Sequence, residues 1–272
     1  MKPAAPPDVA IVLPAHNEAG AAAALVAEIA RAFAGERFEI VFVDDASTDD
    51  TLAELRRAAE TTRELRILRH ARRCGQSRAV RTGVLAARAP LIVTLDADGQ
   101  NDPAEAPALL RTLRGAPDVV AMVAGERRER RDSASRRAAS SIANGVRRRL
   151  LDDGAADTGC GLKAFRREAF LRLPYFDHMH RYLPALMRRE GFEVRFEAVG
   201  HRPRASGTSK YDNLSRLRAA FLDLFGVLWL KARCVDPRAI EEVGSSPEKR
   251  GRAGGDGGGE GESAIARLEA GR

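Results

Sequence analysis

Over its first hundred residues the chain alternates short apolar runs with stretches of helical periodicity. Residues 9–13 (V-A-I-V-L) and 39–43 (E-I-V-F-V) are almost continuously apolar, the pattern of strands buried on both faces. An alanine-rich helix is predicted between them at 19–34. A second follows at 51–62, with Asp49 and Asp50 at its positive N-terminal end. Beyond it the pattern predicts a strand at 65–68, a helix at 76–87 and a strand at 91–95 (L-I-V-T-L). Strand–helix alternation at this spacing predicts an α/β fold with a mainly parallel central sheet flanked by helices. Ligands of such sheets sit beyond the carboxyl ends of the strands.

The second half is less regular. A strand is expected at 119–124, and short apolar pieces at 162–165, 170–173 and 193–199 surround a helix at 182–189. Residues 214–232 read as a helix in which Phe221, Leu222, Leu224, Phe225, Val227, Leu228, Trp229 and Leu230 crowd together, interrupted by Asp223. Arg216, Arg218 and Lys231 flank that stretch. It is too short and too charged to span a bilayer, so it either lies in a membrane interface or packs on the globular domain. From Gly244 onward nine of 29 residues are Gly, which predicts a flexible tail.

Composition narrows the class. With 272 residues, 44% hydrophobic and 31% charged, wholesale disorder and fibrous structure are excluded. Lys+Arg 45 minus Asp+Glu 38 leaves +7, favouring a polyanionic partner: a nucleic acid, a nucleotide or an anionic membrane face. Residues 126–149 hold nine Arg against three acids, either drawn to anionic lipid or forming a solvated helix face. Aromatics are only 5% and do not interleave with the arginines, which disfavours a nucleic-acid-binding protein. Cys74, Cys160 and Cys234 are odd in number and far apart, so neither a disulfide framework nor a zinc site is expected, and a reducing compartment fits. Cys160 reads as a small buried hydrophobe. No signal peptide is expected at the proline-rich start, and no run of about 18 apolar residues occurs.

Three polar clusters follow predicted strands. Asp96-Ala97-Asp98 places two carboxylates one residue apart on a strand-exit turn, with Gln100 at the same alternation. Hard divalent cations take such oxygens together with substrate phosphates. Asp44-Asp45-Ala46-Ser47-Thr48-Asp49 offers adjacent carboxylates for ribose or base hydrogen bonds, while Ser47, Thr48 and Asp49 suit the start of the next helix. Pro14-Ala15-His16-Asn17-Glu18 ends the first strand.

P-A-H-N-E, V-D-D-A-S-T-D-D-T, G-Q-S-R-A-V-R-T-G and L-D-A-D-G-Q occur in the order seen in glycosyltransferase family 2. The chain resembles that family's nucleotide-sugar-dependent enzymes of the GT-A fold across residues 8 to about 211. D-A-D-x-Q, then G-E-R at 125–127, then R-A-S-G-T-S-K-Y at 204–211 resemble the dolichol-phosphate mannosyltransferase-like branch, whose acceptor is a polyprenyl phosphate. The resemblance implies that Pro14, His16 and Glu18 line the nucleotide-binding edge, with Val43, Asp44 and Asp45 around the nucleoside. Asp96, Ala97, Asp98 and Gln100 match the metal and diphosphate motif, with Asp96, Asp98 and Gln100 as ligands of Mg²⁺ or Mn²⁺. Asp98, Arg127, Arg204 and Lys210 take the catalytic places, Arg127 near the sugar diphosphate and Arg204 with Lys210 on phosphate. His16 stands where tyrosine is frequent in the family, and Gly99 where leucine is.

The expected organisation is therefore a GT-A-like catalytic domain at 1–212, an amphipathic helix at 213–236 and a tail at 237–272. The expected reaction is metal-dependent, inverting transfer of a hexose, mannose or glucose, from a GDP- or UDP-sugar to a polyprenyl phosphate. It would take place at the cytoplasmic face of a membrane to which the protein is peripheral. A phosphate monoester has a second pKa of about 6 and is largely a dianion at neutral pH, so it needs positioning by cations more than deprotonation. The alternatives are a lipid or polysaccharide hydroxyl as acceptor, a nucleic-acid-binding role, or a noncatalytic partner subunit. Tyr182 and His180 are candidates for the acceptor side.

Overall fold

A computed structural model describes residues 5–127, 147, 149–202 and 213–234, the stretch 213–220 by its backbone. The described residues fall within one compact unit, Met1–Asp236. Seven strands, β1 (Val9–Ala15), β2 (Phe38–Asp44), β3 (Leu65–Arg69), β4 (Leu91–Thr94), β5 (Val120–Arg127), β6 (Lys163–Arg166) and β7 (Glu193–Val199), form one sheet in the order β3-β2-β1-β4-β6-β5-β7. The first four pair in parallel, and so do β5 and β7. Among the described strands only β6 runs antiparallel, between β4 and β5. The expected mainly parallel α/β architecture is the one observed.

The apolar runs have the reason assigned to them. Val9, Ile11 and Leu13 pack on one side of the sheet with Leu25, Val26 and Ile29 of α1 (Ala22–Ala32) and Leu109, Leu110 and Leu113 of α4 (Ala106–Arg114). Ala10 and Val12 face the other side, with Val80 and Val84 of α3 (Gln76–Ala86) and the Ala185–Met187 segment of α6 (Leu183–Arg189). Both alternating sets are buried, so neither tolerates polar residues. At Gly83 a Cβ would lie 2.4 Å from Val12 Cγ1, so α3 sits closer to the sheet than any larger residue allows.

Two elements differ from expectation. The helix predicted at 19–34 begins at Ala22: Gly20 has φ +87°, which breaks the helical path, and the Glu18, Ala19 and Gly20 amides donate to Thr51 Oγ1, Asp49 Oδ2 and Glu54 Oε1 of α2 (Thr51–Thr61) and its approach. Residues 170–172 of the apolar piece belong to a short helix, α5 (Arg167–Arg172), whose Phe170 stacks on Phe165 with centroids 5.1 Å apart.

The last described helix, α7 (Asn213–Ala232), packs on the globular domain along one side and leaves apolar side chains exposed. Val227 is buried against the domain with Leu224, Leu228 and Leu230 around it, and Asp223 Oδ2 lies 2.9 Å from His178 Nδ1. Phe221, Leu222, Phe225 and Trp229 stay 56–73% exposed. Among the described residues no helix is long and apolar enough to cross a membrane.

Candidate active site

The carboxyl ends of β1, β2 and β4 lie side by side, so all three polar clusters reach one sheet edge. Pro14 and Val43 are buried partners in the β1–β2 register. His16 Nδ1 lies 2.9 Å from the Asp45 carbonyl, and the Glu18 amide donates to Thr51 Oγ1 at 2.8 Å. Asp49, one residue before the N-cap Asp50 of α2, accepts from the Thr51 amide at 3.1 Å, while the Asp50 side chain makes no cap hydrogen bond. Ser47 accepts instead from the Asn17 amide, tying together the loops that follow β1 and β2.

Asp44 is fully buried. Its Oδ1 accepts from the Ser47 amide at 3.0 Å, while Oδ2 takes no hydrogen bond and lies 3.4 Å from Arg69 Nε. The Arg69 guanidinium balances the charge of that buried oxygen. Asp45 accepts from the Cys74 amide (2.8 Å) and the Gly75 amide (2.7 Å), with His70 Nδ1 at 2.7 Å. Burial alone would push this carboxyl up, but His70 and the two amides together hold it below the usual range.

At the β4 exit, Asp96 Oδ1 accepts from Gln76 Nε2 at 2.8 Å, and the Asp96 amide donates to Asn101 Oδ1 at 3.1 Å. Gly161 packs so tightly there that a Cβ would lie 2.2 Å from Asp96 Oδ2. Burial, then the charge of Asp98, pushes the Asp96 carboxyl up to about 6. Lys163 on β6, opposite Thr94 in register, opposes that rise. Asp98 is buried and accepts from the Gln100 amide at 3.1 Å. Ala97 points into the core. The Gln100 side-chain nitrogen lies 3.3 Å from His201 Nε2, and its carbonyl accepts from the Arg202 amide at 3.0 Å, so this residue also ties the turn to the end of β7. Two close carboxylates whose mutual repulsion raises one of them form an oxygen-only donor set that fits Mg²⁺ or Mn²⁺.

Arg127 ends β5 with its Nε and Nη2 on the Asp157 carboxylate at 2.5 and 2.8 Å. That bidentate pair is the first reason, before the cost of burial, that its guanidinium holds its proton beyond the ordinary arginine range, and the charge of Asp96 adds to it. Arg204 and Lys210 lie outside the described residues, as does most of the arginine-rich segment. Gln76, Asn101, Asp157, Gly161 and Lys163 were not singled out by sequence. Gln76 lies in the G-Q-S-R-A-V-R-T-G string and Lys163 in the apolar piece at 162–165, but nothing local ties either to Asp96.

His180 and Tyr182 lie on the helix-α3 side. Ser77 Oγ is 2.7 Å from His180 Nδ1 and accepts from the His180 amide at 3.3 Å. Burial, then the charges of Arg181, Lys163 and His178, lowers the His180 imidazole well below 6.5. The folded chain therefore refuses a proton that the unfolded chain takes up, and stability should fall as pH drops below about 6.5, by up to about 1.4 kcal/mol per pH unit. Denaturation midpoints between pH 7 and 5 check this: His180→Asn should lose stability less steeply than the unaltered chain.

A family model described as Glycosyl transferase family 2 matches residues 10–173. The chain belongs to this family. Among curated family 2 relatives, the dodecaprenyl-phosphate galacturonate synthase of Rhizobium johnstonii is 32% identical over 82% of the chain and 67% of that protein. The undecaprenyl-phosphate 4-deoxy-4-formamido-L-arabinose transferase of Edwardsiella ictaluri is 33% identical over 75% of the chain and 62% of its own length. Its counterpart in Pseudomonas aeruginosa is 35% identical over 81% and 65%. The chain thus spans about two thirds or less of these relatives. Glucosyl-3-phosphoglycerate synthase from Mycobacterium tuberculosis, solved with Mn²⁺ and UDP, superposes with a TM-score of 0.63 at 18% identity, over 85% of this chain and 82% of that one. The family 2 chain therefore has the GT-A fold expected of it.

Proposed function

We propose that the protein transfers a sugar from a nucleotide sugar to the phosphate of a polyprenyl phosphate. One observation carries the acceptor: relatives aligned with three quarters or more of the chain are named for dodecaprenyl or undecaprenyl phosphate. In this reading residues 1–212 form the catalytic domain and 213–236 its membrane-facing helix, followed by a tail at 237–272. Pro14, His16, Glu18, Val43, Asp44 and Asp45 line the nucleoside edge. Asp96, Asp98 and Gln100 hold Mg²⁺ or Mn²⁺. A bound cation would neutralise charge on the diphosphate as it leaves.

The chain's own residues do the rest. Gln76 and Gly161 fix the Asp96 carboxylate. Arg127, oriented by Asp157, adds positive charge beside it, and Arg204 and Lys210 gather the acceptor phosphate. The acceptor dianion attacks the anomeric carbon in line, inverting it without a dedicated base. The expected sugars were mannose and glucose. The relatives are named for a galacturonate and a formamido-arabinose, so the donor panel extends to GDP- and UDP-linked hexoses, hexuronates and pentoses. The test is nucleoside diphosphate release across that panel with and without polyprenyl phosphate. Release should rise with the lipid for at least one donor; release indifferent to it for every donor would contradict the acceptor.

The membrane part of the reading rests on the exposed Phe221, Leu222, Phe225 and Trp229 of α7, at 56–73% exposure. Burying one such side chain is worth about 1.5–3 kcal/mol. A Phe225→Ser, Trp229→Ser variant should bind anionic liposomes at least about tenfold more weakly in flotation assays, and salt should weaken binding of the unaltered protein. Undiminished binding would move the contact to the 126–149 segment.

A further inference from the structure

We propose that Asp45, His70 and Cys74 form a second cation site, selective for a thiophilic divalent ion such as Zn²⁺ or Co²⁺. A carboxylate oxygen, an imidazole nitrogen and a thiol sulfur from these residues all lie within 4.8 Å of one another. A tetrahedral ion with bonds of about 2.0–2.3 Å spaces its ligands roughly 3.3–3.8 Å apart, so closure needs movements of order 1 Å. The three ligands come from the ends of neighbouring elements: Asp45 follows β2, His70 follows β3, and Cys74 precedes α3.

His70 is oriented as a ligating histidine is. Its Nε2 lies 3.0 Å from Thr82 Oγ1 while Nδ1 faces Asp45 at 2.7 Å. In the ion-free site Nδ1–H donates to Asp45 and Nε2 accepts from the Thr82 hydroxyl; ion binding moves the ring proton to Nε2, where the Thr82 oxygen accepts it, and frees the Nδ1 lone pair for the ion. Cys74 is exposed, so an ion can reach its sulfur from solvent. Carboxylate, neutral imidazole and thiolate sum to −2, which a divalent cation balances. Binding therefore releases the Cys74 thiol proton, and water completes the fourth position.

Ligand softness separates this site from Asp96 and Asp98. Thiolate and imidazole suit Zn²⁺ and Co²⁺, whereas an oxygen-only pair suits Mg²⁺ and Mn²⁺. An ion here would also engage the Asp45 carboxylate that the proposed function assigns to the nucleoside, so zinc should inhibit transfer even with Mg²⁺ in excess. That consequence rests on the proposed function; the site itself does not.

The test is optical titration of the reduced full-length protein with Co²⁺ alone. One equivalent should produce a thiolate-to-cobalt charge-transfer absorption. Cys74→Ser should abolish it, His70→Ala should weaken cobalt affinity at least about tenfold, and Asp96→Asn should leave it in place. No charge-transfer absorption, its persistence in Cys74→Ser, or its loss in Asp96→Asn would each overturn the proposal.

Discussion

Asp98→Asn should lower sugar transfer by a factor on the order of 10² to 10³ while leaving the melting temperature unchanged or slightly higher. The side chain is buried, and its Oδ1 accepts from the Gln100 amide. Asn has the same shape and can keep that hydrogen bond through its carbonyl oxygen, so the turn should survive. What disappears is one negative charge facing Asp96. In the folded protein that charge is a burden, since it helps to push Asp96 up to about 6. Its removal relieves repulsion and does not cost stability. In the reaction the same charge is needed, because neutralisation of a leaving diphosphate by a held cation is worth several kcal/mol, and each 1.36 kcal/mol is tenfold in rate. Opposite signs for stability and turnover distinguish a ligand pair from an acidic turn. Turnover within about threefold of the unaltered enzyme would sink the assignment, and so would full activity in excess chelator.

Gly161→Ala should lower transfer about a hundredfold without unfolding the protein. The new Cβ would lie 2.2 Å from Asp96 Oδ2 and 2.4 Å from its Cγ, a distance at which one group must move. The β6 approach is held by the Gly161 carbonyl, which accepts from Thr94 Oγ1 at 2.9 Å, so the softer group is the Asp96 carboxylate. Turning it aside breaks the 2.8 Å hydrogen bond from Gln76. A displacement of about 1 Å in a reacting constellation is enough to cost 10²-fold. Steady-state kinetics beside a thermal melt give the answer. Normal turnover with a normal melt would mean that the carboxylate position seen here is not the working one.

Legibility in the sequence followed the range of the interactions. The run V-A-I-V-L identified β1 because a strand covered on both faces admits no polar residue, and the positions of Asp44, Asp96 and Asp98 followed from the strands that precede them. Antiparallel insertion of β6 between β4 and β5 could not be read, since four residues of K-A-F-R carry no mark of their direction. Nor could Asp157 or Gln76, which meet Arg127 and Asp96 from 30 and 20 residues away. The late start of the helix expected at 19–34 is a third instance. Alanine periodicity favours helix there, but the Glu18–Gly20 amides find side-chain acceptors on α2 and its approach that no local rule anticipates. His16 and Gln100, singled out through the family resemblance, are joined to Asp45 and to His201 and Arg202 by contacts that only the fold supplies.

The proposal that a polyprenyl phosphate is the acceptor is tested most directly by identifying the lipid product. Purified protein is incubated with Mg²⁺ or Mn²⁺, the donor panel, and either undecaprenyl phosphate or undecaprenol, and the lipid fraction is analysed by mass spectrometry. The expected product is one sugar joined to the lipid through a phosphodiester, formed from the phosphate and absent with the alcohol. A glycoside formed as readily on undecaprenol would contradict the account and make a hydroxyl the nucleophile.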